Sequence, residues 1–504
     1  MILNCIGGIG VINMSKRNKD DDIIISFLGT SREDVTGSSV LINYAKSKNE
    51  RGNILLEMGL CQGNVTPEKD IAYNRKMLEN FPKDLISEIE YVIVAHNHID
   101  HLGNLPHLNI QNGFTGKILG TKSVIEIGKK LIEDSVGIHL SNIKRIKESK
   151  GKKVFPLYTE SQMYEMFDRM EYREVGIKYE LNDKVSFRLI NSGHVLGGCM
   201  IELWIKKLNN SVKHIIYSSD MGSDYNNDYQ YFVNKREQIN RCNLFISEAT
   251  YNNPNRCFDK KQAIQERKEL KKEIKTNLQS GKRILFSSFS FGRFQNLMCM
   301  LYDWFNEEEW FKEYPIILDG VLCHKINNEY LNVLEGEEKE YFKRVMEWGN
   351  FKFNKSYDGT ISTLSERTVG IYISTSGFLT NGRIVTYLQQ FLGNSKDVIY
   401  ITGYCGSEGS LGWKILGDQK TVTIDKKVIL KRAEVKQLKT FSSHIQYDEL
   451  IKLYKGLDCQ KILIHHSSEN EKEEFGNKVR EELRNIDKST KVEIVTSKNN
   501  QFRL

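Results

Sequence analysis

Proline is scarce in this chain, at 6 residues in 504, and hydrophobic and charged residues stand at 39% and 27%. That balance excludes a collagen-like, proline-rich or largely disordered polypeptide and describes an ordinary globular protein. No apolar run approaches the roughly 18 to 20 residues needed to cross a bilayer, so no membrane partner is expected. The mildly apolar opening Met1 to Asn13 lacks a basic segment before it and a small-residue cleavage site after it, so it is not a signal peptide. Because Met14-Ser-Lys-Arg-Asn precedes the first clear strand, residues 1–13 read as an optional extension or a misplaced start. The 9 cysteines form no CxxC pair and no framework spacing. This disfavours a disulfide scaffold or a cysteine-zinc site and points to reduced thiols in a cytoplasmic setting. Charge of one sign is also lacking. With 72 Lys and Arg against 65 Asp and Glu, the net +7 tolerates a polyanionic partner without marking a protein that coats nucleic acid.

A length of 504 residues exceeds what one hydrophobic core usually supports, so two lobes, or one lobe with a large insertion, are expected. Short apolar runs alternate with turns in the first half: Ile23 to Leu28, Ser39 to Tyr44, Asn53 to Leu56 and Tyr91 to Val94. Helical periodicity follows at Ser123 to Ile132 and Glu160 to Arg169, then strands at Val185 to Ile190, Met200 to Ile205 and His214 to Ser218. A charged helix from Asp259 to Ser280 opens a second lobe of parallel α/β character, with strands at Arg283 to Phe289, Tyr314 to Leu318, Val369 to Ser374 and Asp397 to Thr402. After Val435 the character of the first lobe returns, with Lys461 to His465 as a short buried strand ending in histidines. The last 65 or so residues are expected to complete the first domain.

The densest chemical signal is Ala95-His96-Asn97-His98-Ile99-Asp100-His101-Leu102-Gly103, directly after the strand Tyr91 to Val94. With only 11 histidines in the chain, three of them and a carboxylate within six positions make a metal site the reading of this loop. Neutral imidazole and carboxylate are the donors zinc prefers, and a tight loop can turn them toward two adjacent cations. One loop cannot fill a two-metal site, so isolated donors are expected at other strand ends. Two follow in order: His194 in Ser192-Gly193-His194-Val195-Leu196-Gly197-Gly198, and Asp220 in Tyr217-Ser218-Ser219-Asp220-Met221-Gly222. Either alone would pass as a structural residue. The remaining histidines, His107, His139, His214 and His324, match no pattern and read as structural or surface groups.

HxHxDH followed by a His and an Asp resembles the metallo-β-lactamase superfamily. That resemblance implies an αββα sandwich and two Zn2+ per chain. It assigns His96, His98 and His194 to one zinc, Asp100 and His101 to the other, and Asp220 as the bridge. The family's first motif, usually an Asp after a strand, is matched by Leu55-Leu56-Glu57-Met58-Gly59, so Glu57 stands there one methylene longer. Its expected role is to orient a ligand histidine from behind. Phe245-Ile246-Ser247-Glu248-Ala249-Thr250-Tyr251 looks like motif A of the β-CASP branch. The segment Ser287 to Gln295, containing Gly292-Arg293-Phe294-Gln295, together with Ser374 to Arg383 and Ile401 to Gly412, is similar to later signatures of that branch. Motif B then falls on His444 in Phe441-Ser442-Ser443-His444, and motif C on His465 in Ile462-Leu463-Ile464-His465-His466, with His465 completing the second zinc site. His466 sits where the family commonly has Gly, and the register of the preceding strand favours His465. The implied division is a metallo-β-lactamase domain over 1–249 and 439–504, with a β-CASP domain inserted over 250–438.

Gly377 and Gly382 have two readings: they terminate elements, or, with Ser376 and Arg383, they form a loop that cradles a nucleic-acid phosphate. The resemblance implies hydrolysis of phosphodiester bonds to 5′-phosphate and 3′-hydroxyl ends. Asp100, Glu248 and His444 are then the catalytic residues, with His444, held by Glu248, serving the departing 3′ oxygen. A histidine at motif C places the chain with members acting on RNA. The motifs look closest to polyadenylation-endonuclease-type ribonucleases and their prokaryotic relatives, with endonuclease and 5′-exonuclease modes both open. The alternatives are a DNA-processing member of the branch and a non-catalytic subunit that binds RNA. The resemblance leaves protein partners, including a homodimer, open.

Overall fold

The computed structural model describes residues 21–30, 35–62, 66–151, 154–377, 379, 382–406 and 408–504. The reading of residues 1–13 as an extension lies outside them. Two seven-stranded sheets pack face to face. The first runs, in spatial order, Gln501–Arg503, Ile24–Phe27, Val40–Ala45, Arg51–Leu56, Ile89–Ile93, Lys117–Gly120 and Met170–Tyr172. The second runs Lys491–Ile494, Asp458–His465, Arg241–Glu248, Val212–Tyr217, Cys199–Lys206, Val185–Asn191 and Lys178–Glu180.

Period-two alternation builds these sheets, as in Val185–Asn191, where Val185, Phe187 and Leu189 face inward between half-exposed Ser186 and Arg188. Ile25, Phe27, Ile54, Leu56 and Ile93 of the first sheet meet Leu203, Ile215, Tyr217, Leu244, Ile246 and Leu463 of the second in one buried layer. Each such side chain contributes about 1.5–3 kcal/mol by leaving water. Strand residues of opposite parity, such as Leu55 and Val92, face the helices that cover the first sheet, among them Pro67–Leu78, Lys83–Glu88, Lys122–Lys150 and Glu160–Phe167. Helices Tyr447–Gly456 and Glu469–Arg484 cover the second sheet. The result is an αββα sandwich.

A third, six-stranded parallel sheet is inserted between Glu248 and the C-terminal strands, in the order Phe351–Asn354, Ile316–Asp319, Ile371–Ser374, Arg283–Ser287, Asp397–Ile401 and Glu434–Gln437. Glu434–Gln437 pairs with Asp397–Ile401 and forms the last strand of this sheet. The inserted unit is keyed to the sandwich through one continuous apolar cluster. Ile127 and Leu131 of the long helix and Val195 and Leu196, just past His194, pack with Phe291, Phe294 and Leu297.

Strand direction decides where the chemistry sits. Arg51–Leu56 and Ile89–Ile93 are parallel neighbours, as are Val212–Tyr217, Arg241–Glu248 and Asp458–His465. Val185–Asn191 reaches the same direction through two antiparallel pairings. Their C-terminal ends therefore share one edge of the sandwich, where Glu57, His96, His194, Asp220, Glu248 and the Asp458–His465 terminus are gathered.

The register of the inserted sheet is pinned by a buried ion pair: Arg283 donates from Nε (2.9 Å) and Nη2 (2.5 Å) to the two carboxylate oxygens of Asp397. Asp397→Ala leaves that guanidinium buried without its carboxylate, a change that costs about 3–5 kcal/mol. Denaturant unfolding is expected to show this loss, and a stability equal to the parent's would contradict it.

Candidate metal centre

The HxHxDH segment leaves its strand at Ile93 and turns directly into a one-turn helix, Ile99–Leu102, preceded by His98. Its backbone is clamped by the segment after Glu57. Met58 N donates to the His101 carbonyl (2.9 Å), Leu60 N to Ile99 O (2.9 Å) and Ser38 N to Asp100 O (2.8 Å). Gly59 makes the approach feasible, because a Cβ there would lie 1.6 Å from the Asp100 carbonyl oxygen. Gly222 does the same on the opposite side, where a Cβ would lie 1.8 Å from Gly193 O, and it bridges to His444.

Among the described residues these turns bring together four groups of donors, of which Glu57 with His96 and His101, and Asp220 with Glu248 and His444, overlap the two that gather the motif residues. One consists of His96, His98, His194 and Asp220, with His98 Nδ1 and His194 Nε2 only 3.3 Å apart. The other consists of Asp100, His101 and His466. Asp220 stands between them. Its Oδ2 lies 3.5 Å from His96 Nε2, 3.4 Å from His101 Nε2 and 3.6 Å from His194 Nε2, and its Oδ1 lies 3.4 Å from His466 Nδ1.

The donor set fits divalent cations. Nε2 of His96, His101 and His466 and Oδ1 of Asp220 are buried without a hydrogen-bond partner among the described residues. Buried polar atoms left this way are costly, and four of them converging is what a bound cation would relieve. Burial, followed by the neighbouring His96, pushes the His98 imidazole down to about 3, and burial with His444 pushes His194 well down, which favours the neutral form that a metal would need. Burial opposes charge on His96 and His101 as well, but Glu57 and Asp220 outweigh it and raise both. Burial likewise opposes ionisation of Asp220, yet His101, His466 and His444 hold its carboxyl well below the usual range.

Behind the donors lies a shell of oxygen partners. Glu57, fully buried at φ 62°, accepts at Oε2 from His101 Nδ1 (2.6 Å) and Tyr217 OH (2.5 Å), and at Oε1 from the Ser219 hydroxyl (2.6 Å). His96 Nδ1 reaches Ser219 Oγ at 3.0 Å, His194 Nδ1 reaches Ser443 Oγ at 3.2 Å, and His466 Nδ1 reaches Thr250 Oγ1 at 3.3 Å. Glu57 thus sits where the sequence put it. Thr250 stood in the motif A segment, whereas the Ser219 and Ser443 hydroxyls carried no signal, being common residues beside the motifs.

At motif C the structure differs from the expectation. His465 is the last residue of its strand and shares the inward face with Leu463, so its ring packs on Phe27 (5.2 Å) and Tyr217 (5.5 Å) in the sandwich core. Burial, with His466 beside it, pushes its imidazole well down. His466, one residue past the strand and at φ 47°, is turned out of the ladder, with its ring 5.0 Å from His101 and its Nε2 3.6 Å from Asp100. The strand ends at His465, where the sequence placed its end, but it is the next residue that turns toward the donor cluster.

Glu248 and His444 meet beside Asp220. His444 Nδ1 lies 3.4 Å from the Glu248 carboxylate and 3.9 Å from Asp220 Oδ2, and its ring is 4.5 Å from that of His194. Glu248 is itself fixed by Met221 N (2.5 Å) and Thr250 N (3.2 Å). Against burial, these carboxylates raise the His444 imidazole above its usual value.

The glycine loop is not free in the way a phosphate cradle requires. Arg383 is tied to the buried Asp319 and donates to the Asn354 carbonyl (2.9 Å), while Thr360 and Tyr387 hydroxyls bond the same carboxylate (2.7 Å each). A Cβ at Gly377 would lie 2.7 Å from the Phe289 ring, and Ser376 O accepts from Leu379 N (3.3 Å). These placements favour the structural reading of Ser376, Gly377 and Arg383. Phe378, Thr380 and Asn381 lie outside the described residues.

A sandwich of this layering with a two-group His/Asp centre on one edge defines a metal-dependent hydrolase of the metallo-β-lactamase type. The sequence matches the metallo-beta-lactamase superfamily domain over residues 48–247, the Beta-Casp domain over 294–415 and the Zn-dependent metallo-hydrolase RNA specificity domain over 428–492. The chain belongs to the β-CASP branch of the metallo-β-lactamase superfamily. It is similar to transcription termination factor FttA of Methanocaldococcus jannaschii, 26% identical over 91% of this chain and 69% of that protein. Integrator complex subunit 11 of Danio rerio is 25% identical over 92% of this chain and 72% of its own length. Endoribonuclease YSH1 of Eremothecium gossypii is 24% identical over 76% of this chain and 49% of its own length.

The two neighbouring histidines can be told apart by metal content and stability. His466→Ala is expected to lose metal while keeping the fold. His465→Ala is expected to keep its metal and lose about 2–5 kcal/mol of stability, the usual range for truncating a large core side chain. Elemental analysis with thermal denaturation of both variants checks this, and the reverse pattern would return the ligand role to His465.

Proposed function

We propose that this chain is a two-zinc phosphodiesterase that cuts RNA, leaving 5′-phosphate and 3′-hydroxyl ends. The observation that carries the reading is the Glu248–His444 pair set against the Asp220 side of a two-group metal centre. His96, His98 and His194 would hold one ion, Asp100, His101 and His466 the other, and Asp220 both. Imidazole with carboxylate suits zinc among the available divalent ions. Bound there, two cations supply Lewis acidity that stabilises charge on phosphoryl oxygens and acidifies water.

The protein's own part is position and a proton. His444 is outside both donor triads, and Glu248 holds it at Nδ1, which leaves Nε2 to serve the departing 3′ oxygen. An imidazole set beside a carboxylate in this way is suited to hand on a proton near neutral pH. Tyr251, its ring 6.3 Å from His444, and Phe291, its ring 5.7 Å from His98, are the aromatic neighbours of these two histidines. RNA is favoured over DNA because a histidine does stand at the motif C position, as His466. The match to an RNA specificity domain and the endoribonuclease name of one relative support the same choice. Among the described residues no helix is long and apolar enough to cross a membrane. A reducing, cytoplasmic setting belongs to the same reading, supported by described cysteines that are all free thiols and nearly all buried.

Chelation is expected to abolish cleavage of 5′-labelled RNA, and DNA of the same sequence is expected to be cut more slowly. Activity surviving full metal removal would end the two-metal reading. His444→Ala is expected to retain its metal and its RNA affinity but to cleave about 10² to 10⁴ times more slowly, the usual effect of losing a general acid. Glu248→Gln should show a milder form, and the double variant should be no worse than His444→Ala because the two residues act as one unit. Single-turnover rates that multiply would deny that coupling.

A further inference from the structure

Glu57 occupies the position where a shorter carboxylate is usual, and its two oxygens are engaged with different halves of the metal centre. Oε2 takes the Nδ1 proton of His101 directly at 2.6 Å. Oε1 is 3.7 Å from His96 Nδ1, too far for a hydrogen bond, and the gap is filled by Ser219, whose hydroxyl accepts from His96 at 3.0 Å and donates to Glu57 at 2.6 Å. Each arm fixes its histidine as the Nδ1–H tautomer and leaves the Nε2 lone pair facing Asp220.

We infer that Glu57 and Ser219 form a single positioning device that couples the two metal sites, with Ser219 as the relay to the His96 side alone. This rests on the two-metal reading above and deepens it. Three features of the arrangement support it. Glu57 is completely buried, so its carboxylate oxygens have only these protein groups to satisfy them. It is further fixed by Tyr217, whose hydroxyl donates to the same oxygen as His101. Ser219 itself is 1% exposed and sits at φ 47°, a backbone conformation that favours glycine, so a serine there needs a use for its hydroxyl that offsets the strain. Its hydroxyl is spent wholly inside the relay. The extra methylene of Glu57 places one carboxylate oxygen on His101 and leaves the other a hydroxyl's width from His96.

The arms can be cut one at a time. Ser219→Gly removes the hydroxyl while relaxing the backbone, so any loss it causes belongs to the hydroxyl and not to strain. Glu57→Gln keeps the size of the side chain but weakens both arms, because it removes the negative charge that both share as well as one of the two acceptor oxygens. The measurement is titration of the metal-stripped full-length chain with Co2+ alone, following the visible absorption of each equivalent and its competition by a chelator, with circular dichroism to confirm folding. The parent is expected to bind two equivalents. Ser219→Gly is expected to weaken one equivalent by about 10 to 100-fold, the usual effect of losing an outer partner, and to leave the affinity and spectrum of the other unchanged. Glu57→Gln is expected to weaken both, and adding Ser219→Gly to it is expected to cause little further loss. Two parent-like affinities in Ser219→Gly, or a Glu57→Gln variant that loses only one equivalent, would overturn the coupling while leaving the two-metal reading intact. A folded parent that binds no Co2+ would overturn both.

Discussion

Asp220 is 2% exposed, and its carboxylate lies within 3.4 to 3.9 Å of nitrogens from His96, His101, His194, His444 and His466. Taking one carboxylate and five imidazoles out of water together is unfavourable unless something satisfies their lone pairs. Divalent cations do so, and the rest of the structure can be read as the means of holding this cluster open and correctly turned. The clamps at Gly59 and Gly222 set the backbone around it. The oxygen partners Glu57, Ser219 and Ser443 hold the far nitrogens of His101, His96 and His194, so that the near ones point inward, while Thr250 touches His466 on the nitrogen that also faces Asp220.

The chain order gives this centre a further property. Its donors come from residue 96 to residue 466, and the inserted six-stranded sheet lies between Asp220 and His444 in sequence. The second sandwich sheet is completed by Asp458–His465 and Lys491–Ile494, and the first by Gln501–Arg503. The centre is therefore assembled only when the C-terminal segment has docked. That segment carries His444 and His466, and Val195 and Leu196 beside His194 pack into the inserted unit, so the donor cluster lies next to the junction of the two units.

Most of the architecture was legible because strong alternation marks strands. Val185 to Ile190 and Asp397 to Thr402 were located to within about a residue. The helix at Ser123 to Ile132 was recognised but is really Lys122–Lys150, since its later turns are polar enough to hide the periodicity. HxHxDH, His194 and Asp220 were legible because their order and spacing constrain one another. Choosing between His465 and His466 depended on which of two neighbours turns out of the ladder, and the glycine that the family commonly has at position 466 reads in the sequence as a departure rather than as the mark of a left-handed backbone. Arg383 looked like a phosphate ligand because its true partner, Asp319, is 64 positions away. Ser219 and Ser443 were invisible for the opposite reason: their neighbours in sequence are the motif residues themselves, and nothing distinguishes a working serine from a filling one.

The most direct test of the central claim is anomalous diffraction at the zinc edge from crystals of the full chain grown without added metal. The account predicts two peaks on either side of Asp220, one among His96, His98 and His194 and the other among Asp100, His101 and His466. A single peak, or a peak coordinated by His465, would contradict it.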